Sequence, residues 1–329
     1  MSHAKIGVMG AGAWGTALAQ VLSEGQDELL LWAREPEVVD SINGQHENTA
    51  FLAGHKLREN IRATSDPDAL AACEAILLVT PAQHLRSALE ALPDTTAALL
   101  LCSKGIEADT QLLMSEVVQE IRPDSPIAVL SGPTFAHEVA RGLPTATTLA
   151  CESEAVWEKL KPLVSKSTFR PYFSDDIIGA EIGGAVKNVL AIGCGVVDGA
   201  GLGQNARASL IGRGFAEMLR YGASRGARAE TLSGLCGLGD LVLTCSSTSS
   251  RNFSLGKGLG EGQSAKTLMS DRSTVAEGAF TAPVLQQDAK ARGVDMPIVD
   301  SVCALLAGQT DPESVLASLM NRPLVPERR

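Results

Sequence analysis

The sequence predicts an α/β protein in two parts: a doubly wound, mostly parallel sheet over residues 1–175 and a mainly α-helical domain over 176–329. Three observations point to it. Short apolar runs alternate with helix-length spans through the first half of the chain, the pattern of βαβ units. The stretch VMGAGAWGTALAQVL at 8–22 sets three glycines between a strand-like run and an alanine-rich helix. From Asp176 onward the strand signals fade and helical periodicity takes over. At 329 residues the chain is long enough for about two domains, each with its own core.

KIGVM (5–9) reads as the first buried strand, and WGTALAQVLSEG (14–25) as a helix ending in glycine. Between them Gly10, Gly12 and Gly15 have GxGxxG spacing. In such a loop the first glycine makes the tight turn, the second lets backbone approach a pyrophosphate, and the third lets helix pack on strand. The phosphate sits at the helix N-terminus, where unpaired N–H groups and the dipole favour an anion. A glycine-rich turn of some other βαβ unit is the competing reading. The following apolar run ELLLWA (28–33) completes a strand, loop, helix and strand within about thirty residues, the context of a Rossmann-like dinucleotide site.

Further strand-like runs are AILLVT (75–80), AALLLCS (97–103), IAVLSG (127–132), TATTLAC (145–151) and TFRPYFS (168–174), with helix-like spans at 82–91, 110–121 and 153–165. DIIGAEIGGAVKNVLAIGCGVVDGA (176–200) is too long for a strand. It reads as a tightly packed helix whose glycines permit close backbone approach, at about 1 kcal/mol each relative to Ala. Helical patterns continue at 206–226 and 295–307, and DPESVLASLMN (311–321) offers Asp311 as N-cap with Pro312 in the first helical position. GKGLGEG (256–262) lacks the first glycine and the closing Ser or Thr of a Walker phosphate loop, and reads as a flexible connection.

Composition narrows the function. A formal charge of −10 argues against a nucleic-acid or anionic-membrane surface, so an anionic ligand has to meet locally placed cations. No signal-peptide pattern opens the sequence and no uninterrupted apolar run reaches about eighteen residues, so the expectation is a cytoplasmic protein with no integral membrane segment. Seven scattered cysteines without CxxC spacing suit reduced thiols, and with no HExxH among five histidines no metal is expected.

Several polar residues remain to be explained. Dinucleotide sites usually place a carboxylate on the ribose about twenty residues after the glycine loop. Here Arg34 stands near that place, which suits a 2′-phosphate; Glu35 beside it weakens the reading, and a solvated loop arginine is the lesser alternative. Lys104, in LLCSKGIEA, follows the carboxyl end of a predicted strand, where open α/β sheets bind ligands. SGPTFAHEVA (131–140) ends a strand and begins a helix, with Thr134 as a candidate N-cap and His137 as a surface residue. Lys187 lies among small and apolar residues in EIGGAVKNVLAIG; burial would lower its pKa toward a value useful for proton transfer, while a snorkelling surface lysine fits the same pattern. Asp240 sits in a glycine-apolar setting. Ser250, Arg251 and Asn252 follow a hydroxyl-rich loop and combine a planar guanidinium with a neutral amide, a set suited to a small phosphate ester.

Together these segments resemble the bacterial-type NAD(P)-dependent glycerol-3-phosphate dehydrogenases. GAGAWGTALA, CSKGIE, SGPTFA, GLPTA, the GGAVKNVLAIG helix, GLGDLVLTC, SRN and EG..TA occur in that family's order and spacing over nearly the whole chain. The resemblance implies interconversion of dihydroxyacetone phosphate and sn-glycerol 3-phosphate, a precursor of phospholipids. It implies Lys187 as proton donor and acceptor, with Lys104 and Asp240 around it. It places Gly132, Thr134, Ser250, Arg251 and Asn252 against the substrate. Trp14, Arg34, Lys104, Ala136, Arg251, Val275 and Glu277 match cofactor-contacting positions. NADP or NAD is the implied cofactor, with NADPH favoured by Arg34, and a homodimer the implied assembly. Two rivals remain: a β-hydroxyacid dehydrogenase, which typically places Asn four residues after its helix lysine where this chain has Ala191, and a non-catalytic dinucleotide sensor, which needs no proton donor.

Overall fold

The computed structural model describes residues 5–270 and 276–321. Its eight strands are β1 (Ile6–Met9), β2 (Leu29–Trp32), β3 (Ile61–Thr64), β4 (Ala75–Leu78), β5 (Ala98–Leu101), β6 (Ile127–Ser131), β7 (Thr145–Cys151) and β8 (Phe169–Ser174). They form one sheet in the order β3-β2-β1-β4-β5-β6-β7-β8. Every neighbouring pair is parallel except β6 with β7. The first six strands follow the order of a dinucleotide-binding sheet, in which the chain reverses direction between β1 and β4 and leaves a crevice at their carboxyl ends.

The helices interleaved with these strands are α1 (Ala13–Leu22), α2 (Pro36–Gln45), α3 (Leu85–Ala91), α4 (Met114–Ile121), α5 (Ala136–Ala140) and α6 (Glu154–Val164). Alternate strand residues point to opposite faces, and both faces are covered. Val8, Leu31, Leu77 and Leu100 pack in one layer, while Leu30, Ile76, Leu78 and Leu99 pack in the other. This is why the strands read as continuous apolar runs rather than as alternating ones.

Beyond β8 the described chain is helical: α7 (Ile177–Gly199), α8 (Gly203–Arg225), α9 (Ala229–Leu232), α10 (Asp240–Thr244), α11 (Arg251–Gly260), α12 (Ala265–Leu268), α13 (Glu277–Ala291), α14 (Pro297–Leu306) and α15 (Pro312–Met320). Asp176 caps α7 by accepting a 2.8 Å bond from Gly179 N, and Asp311 caps α15 with Pro312 at its first position, as the sequence indicates. Residues 179–197 of α7 are all buried. An 18-residue window of α7, although interrupted by charged residues, is apolar enough by length and composition to cross a bilayer, with a mean hydropathy of 1.4. But 89% of that window is buried, because the apolar surface packs against the helices around it.

The chain departs from the sequence expectations at several places. β3 carries too short an apolar alternation to be recognised from four residues. The helix expected from 110 begins only at Met114, because Ile106 and Leu113 form a β-bridge first. Thr134 is not an N-cap: α5 starts two residues later, and the Thr134 hydroxyl donates to Gly132 O at 3.2 Å. Most consequentially, GKGLGEG is not a flexible connection; most of it forms the second half of α11, laid against α7. A Cβ at Gly256 would stand 1.9 Å from Ile192 O, and one at Gly195 would stand 2.0 Å from Phe253 O. Glycines on both helices therefore allow backbone-to-backbone contact. A Gly256→Ala variant should lose about 1–3 kcal/mol or more of stability in denaturant unfolding, as overpacked sites do; a midpoint at or above that of the wild type would show that the helices do not need this approach.

Candidate active site

At the crevice between β1 and β4, each glycine of the loop has a separate steric role. Gly10 adopts φ +119°, and a Cβ there would lie 2.9 Å from Val79 O. A Cβ at Gly15 would lie 1.8 Å from Gly10 O, so helix and strand could not meet as they do. Gly12, the N-cap of α1, has open space where its Cβ would be, which leaves the first N–H groups of the helix approachable. Trp14 adds a buried indole Nε1 with no hydrogen-bond partner among the described residues. This cradle fits a pyrophosphate. Asn48 locks it from behind: its buried amide donates to Ala11 O and to Thr16 Oγ1, both at 2.8 Å. Nothing in the sequence around Asn48 pointed to it.

The candidate cofactor positions fall around this crevice unevenly. Ala136, at the start of α5, and Trp14 both pack against the core layer beneath the loop. Arg34 follows β2; its side chain is 77% exposed and lies 2.7 Å from Glu35, turned along its own loop. Glu277 opens α13. Burial pushes its carboxyl above the usual range, while the Arg251, Lys104 and Lys187 cations and a bond from the Ala82 backbone oppose the shift. Val275 lies outside the described residues.

Farther along the carboxyl edge, three groups expected from the sequence meet. Asp240 has no exposed surface, and its two oxygens take separate partners: Lys187 Nζ on Oδ1 at 2.5 Å and Lys104 Nζ on Oδ2 at 2.7 Å. Lys187 is 6% exposed, which rules out the snorkelling alternative. Its ammonium also donates to Thr244 Oγ1 at 2.9 Å, and that hydroxyl is 3.3 Å from Asp240 Oδ1. The sequence reading missed Thr244, although its place one helical turn after Asp240 was a usable signal. Lys104 Nζ also donates to Gly132 O at 3.4 Å, the carbonyl that Thr134 shares. Burial lowers the Lys187 pKa to about 8; Asp240 opposes the shift and the Lys104 charge adds to it.

Local geometry explains the glycines here. Leu235–Gly239 is a π-helical turn leading into Asp240, a distortion that often marks functional sites. It lies directly on α7, where a Cβ at Gly183 would stand 2.4 Å from Cys236 O. At the next position a Cβ on Gly184 would stand 3.2 Å from Lys104 Cγ, so this glycine admits the lysine stem. Small residues one turn before Lys187 thus admit both the turn that leads to Asp240 and the stem of Lys104.

Ser250 caps α11, accepting from Phe253 N at 3.2 Å. Arg251, the first residue of that helix, is exposed and makes no hydrogen bond or ion pair among the described residues. Asn252 is committed to the scaffold: it donates to Asn188 Oδ1 at 3.0 Å and accepts from Gly278 N at 2.9 Å, tying α11 to α7 and α13. The chain therefore presents one buried and one partly buried ammonium group around one carboxylate, and a guanidinium without an ion pair among the described residues at a nearby helix N-terminus.

Comparison with known proteins identifies the family. Residues 5–157 match the family model for the NAD-dependent glycerol-3-phosphate dehydrogenase N-terminus, and residues 176–317 match that for its C-terminus. A glycerol-3-phosphate dehydrogenase (NAD(P)+) of Erythrobacter litoralis is 64% identical over 98% of this chain and 97% of its own. Another, of Novosphingobium aromaticivorans, is 61% identical over 98% of each. The crystal structure of glycerol-3-phosphate dehydrogenase from Coxiella burnetii superposes with a TM-score of 0.92 at 37% identity, covering 97% of this chain and 99% of that one. The chain belongs to the NAD-dependent glycerol-3-phosphate dehydrogenase family.

Proposed function

We propose how this chain carries out its family's reaction, the reversible NAD(P)-dependent interconversion of dihydroxyacetone phosphate and sn-glycerol 3-phosphate. The observation that carries the proposal is the Lys187–Asp240–Lys104 cluster around a carboxylate with no exposed surface. The bound cofactor supplies the hydride for the carbonyl carbon. Lys187 stabilises the charge growing on the carbonyl oxygen and passes its proton to it, while Asp240 and Thr244 fix the direction of the ammonium. Lys104, with the Gly132–Thr134 turn beside it, helps hold the substrate. Arg251, with its neighbour Ser250, takes the phosphate and reaches the cofactor, and Asn252 keeps the helix bearing them in place. Gly10, Gly12 and Gly15 would hold the cofactor's pyrophosphate, with Trp14, Arg34, Ala136 and Glu277 as further contacts; Val275, the remaining expected contact, lies outside the described residues. The division of the chain near residue 175, a homodimer, a cytoplasmic location and a role in supplying phospholipid precursors belong to the same reading.

Lys187→Ala should retain cofactor binding but lower turnover by roughly two to four orders of magnitude; near-normal turnover in a folded variant would remove Lys187 from this role. In the wild type, reduction needs Lys187 protonated and oxidation needs it neutral. With its pKa lowered to about 8 by burial, reduction should fade and oxidation should rise as pH passes through that value. Steady-state pH profiles in both directions should cross there; profiles of the same sign would contradict the assignment.

Arg251→Ala should cost about 2 to 4 kcal/mol in kcat/KM toward dihydroxyacetone phosphate, through lost charge-assisted bonds and lost positioning. Arg251→Lys should recover only part of it. Unphosphorylated dihydroxyacetone is the control. Equal loss on both substrates would assign Arg251 to the cofactor or to folding.

NADPH should serve at least as well as NADH, because Arg34 supplies a positive charge where NAD-selective sites place a carboxylate. Its exposed side chain is free to exchange Glu35 for a 2′-phosphate at little cost, since a surface ion pair contributes at most about 1 kcal/mol. Arg34→Asp should penalise NADPH selectively in binding titrations, and an unchanged ratio of the two dissociation constants would refute the contact.

A further inference from the structure

Of the two ammonium groups on Asp240, only one has a regular element behind it. Lys187 rides on α7, but Lys104 sits in the irregular segment between β5 and α4. Its position must come from bonds made by that segment. Four of these come from two residues one turn apart. Gln83, in the 3-10 turn Ala82–His84, donates from Nε2 to Ile106 O at 2.7 Å and accepts from Ala108 N at 3.0 Å. Arg86, on α3, donates from Nε and Nη2 to the two oxygens of Glu107 at 2.9 and 2.8 Å. Its Nη2 also reaches Glu120 Oε2 on α4 at 2.8 Å, and Thr110 Oγ1 donates to Glu107 at 2.5 Å. A Cβ at Gly105 would stand 2.6 Å from the Ala82 Cβ, so the segment lies directly on the turn that carries Gln83.

We propose that Arg86 and Gln83 are positioning residues for Lys104: gripping residues 106–108, they fix the backbone that delivers its ammonium to Asp240. The inference rests on the function proposed above. Glu107 is 9% exposed and grasped by a planar fork, so this pair is directional in a way that a solvated surface bridge is not. The Arg86 fork also holds the Glu107 carboxyl below the usual range against its own burial. The grip bears on chemistry because Lys104 and Lys187 share one carboxylate. The groups acting on Lys187 are Asp240 and Thr244 of α10, Lys104, Glu277 at the start of α13, and Cys245. If Lys104 withdraws, Lys187 loses a neighbouring positive charge and has Asp240 to itself. Both changes favour its protonated form.

The test is Arg86→Ala in the full chain. It should bind NADPH as the wild type does, lose about ten- to a hundredfold in kcat/KM for dihydroxyacetone phosphate, and show the alkaline limb of reduction displaced to higher pH. Arg86→Lys, with one bond in place of a fork, should restore part of both effects. Glu107→Gln should move the same limb in the same direction by less, and it carries the test if Arg86→Ala does not fold. A loss of kcat/KM with the alkaline limb unmoved would make the network merely structural and overturn the proposal, as would wild-type kinetics in Arg86→Ala. Failure of the underlying reading looks different: Lys187→Ala and Lys104→Ala would then turn over normally.

Discussion

A buried carboxylate with no exposed surface must have partners, and Asp240 takes one from each half of the molecule. Lys104 arrives from the end of a sheet strand and Lys187 from the central helix, and each meets a different oxygen. Removing one member of such a cluster leaves buried charge uncompensated, at a cost of about 3–5 kcal/mol in comparable pairs. The same contact that joins the sheet to the helices therefore also fixes the Lys187 ammonium, the group proposed to carry the proton. Structure and chemistry place one demand on one residue.

Meeting that demand requires backbones closer than side chains normally permit. α7 is approached by the π-helical turn at Gly183, by the Lys104 stem at Gly184, by α13 near Asn188, where a Cβ on Gly278 would lie 2.5 Å from the Asn188 carbonyl, and by α11 along Gly195 and Gly199. Each glycine weakens the helix in isolation, by about 1 kcal/mol relative to Ala. Packing offsets this, because helix stability in a folded protein comes mainly from tertiary contact rather than from propensity. Arg251 owes its place to the same device, since it begins the helix that those glycines press against α7.

What was legible in the sequence follows from the range of the signals. The strands β1, β2 and β4 to β8 are local apolar runs, and the glycine loop is a local motif, so both could be read directly. Lys187 stood out because a charge inside an apolar helix is anomalous at any distance. β3 was missed because four residues with partial exposure carry no distinctive period. The second half of α11 was misread because GKGLGEG has a loop's composition; its glycines serve a partner some sixty residues earlier, which no local window contains. Asn252 shows the same limit. Its amide looked available to a ligand, but both ends are engaged by residues of α7 and α13. Thr244 and Asn48 act through hydrogen bonds that exist only once the chain has folded.

The charges also explain how an acidic protein handles an acidic substrate. The chain as a whole carries a formal −10, yet around Asp240 two ammonium groups face one carboxylate, and Arg251, at a helix N-terminus, has no ion-pair partner among the described residues. The local excess is positive and is held by burial and by the helix end rather than by the surface field. Full pairing of every cation would stabilise the free protein but leave nothing for an anion. Glu277 lies nearby, and burial raises its carboxyl pKa against the pull of the Arg251, Lys104 and Lys187 cations. Burial thus acts in two directions within one cleft: it moves Lys187 toward releasing a proton and Glu277 toward retaining one. The first suits Lys187 to the acid–base role proposed for it, and the second lessens the negative charge that a phosphate ester would meet there.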